Sequence, residues 1–280
     1  MIAPTRLVVN ADDLGLHPSL DAGILRAHRE GILCSASLMV TGAHAEAGVR
    51  NANAQGLSLG VHLTLCSGLP PAARPDEVPT VAPGGRFRTG WARFVRDWFS
   101  GRVRSAEVAR ELAAQLERAR ALGCQPDHLD SHQHLHVLPG IDRIVEALAR
   151  SERLPVRMPV ARPSRAWLGR PAAALKTSLV ALLARARGIG RGVRGVSGLG
   201  VFEAGALDER TLLDLIAWLP AGDFELGCHP GEGVPRVEED PGWTYGWPRE
   251  LAALCSHRVR DALAARRVEL TTYRGLGSAR

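Results

Sequence analysis

Leu7-Val8-Val9-Asn10-Ala11-Asp12-Asp13-Leu14-Gly15 runs from branched apolar residues into two adjacent carboxylates and a glycine. It reads as a buried strand over Leu7 to Asn10 that ends in a polar loop. Ser19 is placed to cap a following helix, Leu20, Ile24 and Ala27 share one face of it, and Gly31 suits its C-terminal end. A strand followed at once by an amphipathic helix is the building unit of a parallel α/β sheet. The unit recurs. Further strands are expected at Ser37 to Val40, Leu57 to Leu65, His128 to His136, Val156 to Met158, Gly198 to Phe202, Phe224 to His229 and Val268 to Thr272. A helix is expected over Ala106 to Leu122, where Val108, Leu112, Leu116 and Ala119 recur at helical spacing before Gly123. So many strands suit an α/β barrel or barrel-like sheet better than a sandwich.

A length of 280 residues at 45% hydrophobic content can bury a sizeable core. Neither an internal repeat nor a linker stands out, so residues 1–280 read as a single domain with insertions at about 67–104 and 161–195. The first is rich in Pro, Gly and Arg and is expected to cover one face; the second has a helical composition over Ala172 to Ala186. The five cysteines are odd in number, widely spaced and free of any CxxC pair, which excludes a disulfide framework or a cysteine zinc knuckle and leaves small buried hydrophobes. The N-terminus leaves no room for a signal peptide, and no apolar run approaches membrane-spanning length, so a cytoplasmic protein is expected. The net charge of +6 is local. Between Glu152 and Glu203 there are ten Arg or Lys and no acid, which leaves 6 − 10 = −4 for the rest of the chain. That distribution excludes an all-over nucleic-acid-binding surface.

Four polar motifs sit at the ends of expected strands. Adjacent Asp12 and Asp13 would repel each other unless a cation or a shared proton relieves them, though Asp also serves ordinary turns. His62 stands in the apolar run Gly60-Val61-His62-Leu63-Thr64-Leu65, as a core histidine or as a ligand. In Asp127-His128-Leu129-Asp130-Ser131-His132-Gln133-His134-Leu135-His136, Asp130, His132, His134 and His136 alternate, so on a strand they would share one face. Glu225-Leu226-Gly227-Cys228-His229-Pro230-Gly231 places another histidine at a strand end. In a parallel barrel all such ends open on one face, and a carboxylate with two imidazoles makes a facial ligand set with positions left for water and substrate.

Asn10-Ala-Asp-Asp-Leu-Gly15, Ser35-Ala-Ser-Leu-Met-Val40, Gly60-Val-His62, His128-Leu-Asp-Ser-His-Gln-His-Leu-His136, Arg157-Met-Pro159, Cys228-His-Pro230 and Arg249-Glu250-Leu251 lie in this order over nearly the whole chain. In this set the chain resembles the YdjC-like carbohydrate deacetylases, which include chitooligosaccharide deacetylases and proteins tied to hopanoid synthesis. The resemblance implies a distorted TIM-like (β/α) barrel of mostly parallel strands, polysaccharide-deacetylase-like, with Asp13, His62 and His132 as ligands of one divalent metal ion. Zinc and magnesium are the foremost candidates, followed by cobalt and nickel. It also implies Asp12 as general base and His229 as general acid. Asp130 would orient an imidazole, His134 or His136 would contact substrate, and Arg157 would orient carboxylates or substrate or form a structural salt bridge.

The implied reaction is hydrolysis of the N-acetyl group of an N-acetylated amino sugar, on an oligosaccharide or a lipid-linked glycoside. The alternatives are a metal-dependent amidase or esterase on a non-sugar, and a non-catalytic sugar-binding accessory protein; the intact Asp12 and His229 speak against the latter. Trp243, Tyr245 and Trp247 would stack on a sugar or simply pack a loop, and Glu232 to Trp247 would form a lid. The basic segment from Arg153 to Arg194 offers an amphipathic helix to an anionic membrane through 161–195, a solvated face or a homodimer contact. It lacks the interleaved aromatics of a nucleic-acid groove.

Overall fold

A computed structural model describes residues 4–159, 171–186, 197–234 and 245–277. The strands are β1 (Thr5–Leu14), β2 (Ser35–Leu38), β3 (Ser58–Leu63), β4 (Leu129–Ser131), β5 (Ser197–Leu199), β6 (Gly222–Cys228) and β7 (Val268–Leu270). They form one sheet in the order β4-β3-β2-β1-β6-β5, every pair parallel, with β7 beside the start of β1. Such strands are covered on both faces, which is why Leu7, Val8 and Val9 are all buried despite pointing alternately up and down.

The helices are α1 (Pro18–Glu30), α2 (Ala45–Ala54), α3 (Trp91–Phe99), α4 (Ser105–Ala121), α5 (Ile141–Glu152), α6 (Pro171–Ala186), α7 (Glu209–Trp218), α8 (Trp247–Leu254), α9 (His257–Ala265) and α10 (Tyr273–Gly277). The α1 cap differs from expectation. His17, not Ser19, is the capping residue; its Nδ1 accepts from the Ser19 backbone N–H at 3.1 Å, and Pro18 takes the first helical position, where a missing N–H costs nothing. Among the described residues no helix is long and apolar enough to cross a membrane. The five cysteines are free, and Cys66, Cys124 and Cys228 are buried.

The expected α/β architecture of parallel strands is present, in an open form. Among the described residues the edge strands β4 and β5 do not pair with each other. The sheet nevertheless curls strongly. In a flat sheet β4 and β6, four steps apart in that order, would be about 19 Å from each other. One guanidinium, that of Arg157, bridges Asp130 at the end of β4 to Glu225 in β6.

Two expected strands are not as read. The run His128 to His136 gives only the short β4 and then a 3-10 turn over His132–Val137, in which Gln133 and His134 take φ of 58° and 57°. Val156 to Met158 supplies a single bridge, Val156 to Leu129, beside β4. The 67–104 stretch folds as 3-10 turns and α3, tied down by α4: Glu111 accepts from the backbone N–H groups of Ala72 and Ala73 at 2.9 Å each, and Glu107 from that of Thr80 at 2.7 Å. Of the 161–195 stretch, the expected helix is present as α6, and the remainder lies outside the described residues.

Candidate active site

Adjacent strand residues point to opposite faces, so Asp12 and Asp13 would ordinarily diverge. The pairing of β1 with β2 slips between Ala11 and Leu14, and Asp13 adopts φ 71°. A left-handed backbone costs a non-glycine residue of order 1–3 kcal/mol and recurs at functional sites. Here it turns both carboxylates to one side. Asp21 of α1 braces the turn, accepting from the Gly15 N–H at 2.7 Å. Its burial pushes its carboxyl up to about 6 against that hydrogen bond.

His62 and Asp130 are register partners in β3 and β4. Their side chains meet as His62 Nδ1 and Asp130 Oδ1 at 2.8 Å, which leaves His62 Nε2 facing Asp13 Oδ1 at 3.5 Å. His132, at the start of the 3-10 turn, places Nδ1 3.2 Å from the same oxygen. One ligand atom from each of Asp13, His62 and His132 lies within 4.8 Å of the other two, all three residues being buried. Burial would lower the His62 pKa, but Asp130, Asp12 and Asp13 outweigh it and lift it to about 9. Asp13 is held below the usual carboxylate range, its burial overcome by His132 and His62.

Arg157 is the electrostatic hub. Its Nη1 donates to Asp12 Oδ1 and, at 2.8 Å, to Asp130 Oδ2, while its Nε pairs with Glu225. The room for it comes from Gly227, where a Cβ would stand 2.1 Å from Nη2. Against its own burial, those carboxylates hold its pKa well above the ordinary arginine value, while burial raises Glu225 despite Arg157 beside it. Ser37 of β2 links the remaining groups: it donates to Asp130 Oδ2 at 2.9 Å, accepts from Asn10 Nδ2 at 2.9 Å, and lies 3.0 Å from His128 Nε2.

On the far side of Asp12, His229 follows β6. Its Nε2 is 3.8 Å from Asp12 Oδ2 and its Nδ1 is 3.8 Å from Glu250 Oε2, so both contacts are charge-charge and not hydrogen bonds. Glu250 of α8 also accepts from the backbone N–H groups of His229 and Gly205, each at 2.6 Å. Burial would depress His229, but Glu250 and then Asp12 outweigh it and raise its pKa.

The structure therefore brings together Asp12, Asp13, His62, Asp130, His132, Arg157 and His229. His136 is directed elsewhere: its Nδ1 meets Ser131 Oγ at 2.6 Å, its Nε2 meets the Arg157 carbonyl at 3.0 Å, and burial lowers its pKa to about 4. The turn at Gln133 and His134 is what separates His134 and His136 from His132. Neither belongs to a candidate metal-holding group among the described residues. Of the aromatics, Trp247 is fully buried and serves packing, Tyr245 lies edge-on to His229 at 4.8 Å, and Trp243 and most of the expected lid fall outside the described residues. Glu225, Glu250, Ser37 and Asn10 stand in the quoted motifs, but the sequence alone assigned none of them a role. The available signal was a charged or polar residue inside an otherwise apolar strand, as at Glu225 and Ser37.

A polar cluster at the carboxyl ends of parallel strands places the chain among α/β proteins that build their sites there. Within that class the chain belongs to the YdjC-like family, whose model, described as YdjC-like protein, matches residues 6–265. It is 36% identical to a carbohydrate deacetylase of Mus musculus, over 98% of this chain and 96% of that one. It is 32% identical to a chitooligosaccharide deacetylase of Klebsiella pneumoniae strain 342, over 96% and 98%. A crystal structure from Enterococcus faecalis V583, described as a candidate cellobiose-phosphate cleavage protein, superposes with a TM-score of 0.77 at 27% identity, covering 98% and 99%. A family 4 carbohydrate esterase from Streptomyces lividans shares the fold, with a TM-score of 0.50 at 12% identity over 96% and 93%.

Proposed function

We propose that this chain is a metal-dependent carbohydrate deacetylase, one catalytic domain that removes the acetyl group from the nitrogen of an N-acetylated amino sugar. The observation that carries the reading is the gathering of Asp12, Asp13, His62, His132 and His229 at the carboxyl ends of β1, β3, β4 and β6. Its relatives in mouse and Klebsiella, named carbohydrate and chitooligosaccharide deacetylases, support the substrate class.

Asp13, His62 and His132 fit a divalent cation. Asp130 engages Nδ1 of His62 and so presents Nε2 as the ligand atom, the usual arrangement of a carboxylate behind a metal-bound imidazole. Two nitrogen donors favour zinc, cobalt or nickel over magnesium, which prefers oxygen. When bound, such an ion supplies Lewis acidity to an amide carbonyl and lowers the pKa of water.

The chain's own residues supply the proton transfers. Asp12 Oδ1 is taken by Arg157 and Asn10, so Oδ2 is the oxygen that accepts a proton from the attacking water. Arg157 and Asn10 fix its orientation. Water adds to the acetyl carbon, the C–N bond breaks, and His229 delivers a proton from Nε2 to the departing nitrogen, giving acetate and a free amine. Glu250, facing the other nitrogen of that ring, favours the protonated imidazole that this step needs.

Acetate release from N-acetylglucosamine oligomers tests the reading, with zinc-loaded wild type beside Asp12→Asn and His229→Ala. Wild type should release acetate, and each variant should fall by roughly 10²–10⁴-fold. A wild type that holds zinc but frees no acetate from any acetylated amino sugar would sink the substrate class. A wild type that takes up no metal would sink the metal site.

A further inference from the structure

We propose that His128 is a positioning residue for the candidate metal site: it fixes where the Ser37 proton points, and through Ser37 it steadies the carboxylate behind His62. This deepens the metal reading given above and rests on it. His128 stands just before β4, two residues from Asp130, and so shares its face. Its ring does not stay over β4. Gly60 of β3 lies one step before the Val61 and Leu129 pair, with Ser37 of β2 as its register partner on the other side. A Cβ on Gly60 would stand 2.2 Å from His128 Cε1. The missing side chain is the gap through which the ring crosses β3, and Nε2 comes to 3.0 Å from Ser37 Oγ. Two strand spacings, about 10 Å, are bridged in this way. Tyr273 of α10 stacks on the ring, centroids 3.9 Å apart and planes 25° from parallel, which fixes its tilt. His128, Ser37 and Asp130 are wholly buried.

Hydrogen counting gives the direction of the contacts. Ser37 Oγ has one proton and two lone pairs. Asn10 Nδ2 donates to it at 2.9 Å and takes one lone pair. Asp130 Oδ2, also at 2.9 Å, already accepts from Arg157 Nη1, and a carboxylate only accepts, so the Ser37 proton goes to Asp130. The second lone pair faces His128 Nε2, which is therefore the donor. Nδ1 of the same ring meets Asp127 Oδ1 at 2.7 Å, and the other Asp127 oxygen accepts from Ser58 Oγ at 2.6 Å. The ring thus donates from both nitrogens, one to Asp127 and one to Ser37. Without the Nε2 proton, Ser37 would turn its own proton to the bare nitrogen and Asp130 would lose a donor. Asp130 aims His62 at Asp13, so a carboxylate held less firmly is a ligand aimed less well.

Long-range proton–nitrogen correlation spectra of the histidine rings in the metal-free full chain test the first half. Both ring nitrogens of His128, assigned by their loss in His128→Phe, should carry protons at neutral pH. Zinc affinity, by competition against a chromophoric chelator, tests the second half. His128→Phe keeps a ring on Tyr273 and removes both donors. It should bind zinc several-fold more weakly, short of the roughly 10–100-fold expected for a direct partner of a ligand. His128→Gln, whose amide nitrogen reaches the Nε2 position and can donate to Ser37, should recover most of the affinity. Ser37→Ala should match His128→Phe, and the double variant should lose no more than either alone, because both cut one chain. A packing role would spare zinc affinity or make the two losses additive. The proposal fails if one nitrogen of His128 is bare, if folded His128→Phe binds zinc as wild type does, or if the losses add. Should His128→Phe not fold, because Asp127 has lost its partner, wild-type zinc affinity in Ser37→Ala would overturn the proposal by itself. A wild type that takes up no zinc would overturn the metal reading and the positioning role with it, while the ring spectrum would still decide the direction of the hydrogen bonds.

Discussion

Nδ1 of His62 and Oδ1 of Asp130, 2.8 Å apart, join the end of β3 to the end of β4 and aim the other nitrogen of the ring at Asp13. The carboxylate therefore sets both the tautomer and the direction of His62. If Asp13, His62 and His132 hold the metal as proposed, replacing Asp130 by Ala should lower zinc affinity by roughly 10–100-fold while leaving all three side chains in place. Competition against a chromophoric chelator measures this directly. Unchanged affinity would mean that His62 does not bind through Nε2.

Arg157 stands among Asp12, Asp130 and Glu225, all buried. Arg157→Met fills similar volume but leaves three carboxylates without their cation, which should cost roughly 3–5 kcal/mol in denaturant unfolding. Arg157→Lys should not restore the wild type, because an ammonium cannot reproduce the guanidinium fork that serves several acceptors at once. A variant of wild-type stability would show that the guanidinium does not hold this cluster together.

Much of this was readable in the chain. The Leu7-Val8-Val9 run fixes β1, and Asp12, Asp13, His62, His132 and His229 were all legible as polar residues at strand ends. What misled was periodicity. Alternation from Asp130 to His136 looks like a strand, yet Gln133 and His134 adopt left-handed backbone, so only His132 reaches Asp13. Nothing in the alternation announces that turn, which Ser131 closes by accepting from the backbone N–H of His136. Glu250 was hidden for a related reason: it sits on a helix following the expected lid, and its bonds to His229 and Gly205 join segments far apart in sequence. The helix cap at His17 was missed because serine and not histidine is the usual capping residue.

Glu250 faces Nδ1 of His229 and raises its pKa against the effect of burial. Activity that needs protonated His229 is present below that pKa and is lost as pH rises through it. Removing the negative charge with Glu250→Gln should move this falling limb of the kcat/KM profile to lower pH. The amide oxygen can still accept from one of the two backbone N–H groups, so some loss of stability is expected as well. The pH limb separates the two effects: a purely structural role would lower activity evenly without displacing it.

Asp21 gives a stability prediction of opposite character to an ordinary salt-bridged carboxylate. Its folded pKa, about 6, lies above the ordinary 3.8 because the side chain is buried, and the Gly15 N–H only partly compensates. Below 3.8 both states hold the proton and the fold suffers no penalty. As pH rises from there, the unfolded chain ionises first and stability falls, the loss being complete above about 6. The full loss is of order 3 kcal/mol. Asp21→Asn keeps an acceptor for Gly15 and cannot ionise, so its melting temperature should exceed that of wild type at neutral pH, and the gap should close as pH falls toward the ordinary aspartate value. Asp21→Ala removes the acceptor and frees the turn that holds Asp13 at φ 71°, so it should lose metal affinity where Asp21→Asn does not. If the alanine variant binds zinc as tightly as wild type, the strained backbone at Asp13 is maintained by the slipped β1–β2 pairing alone.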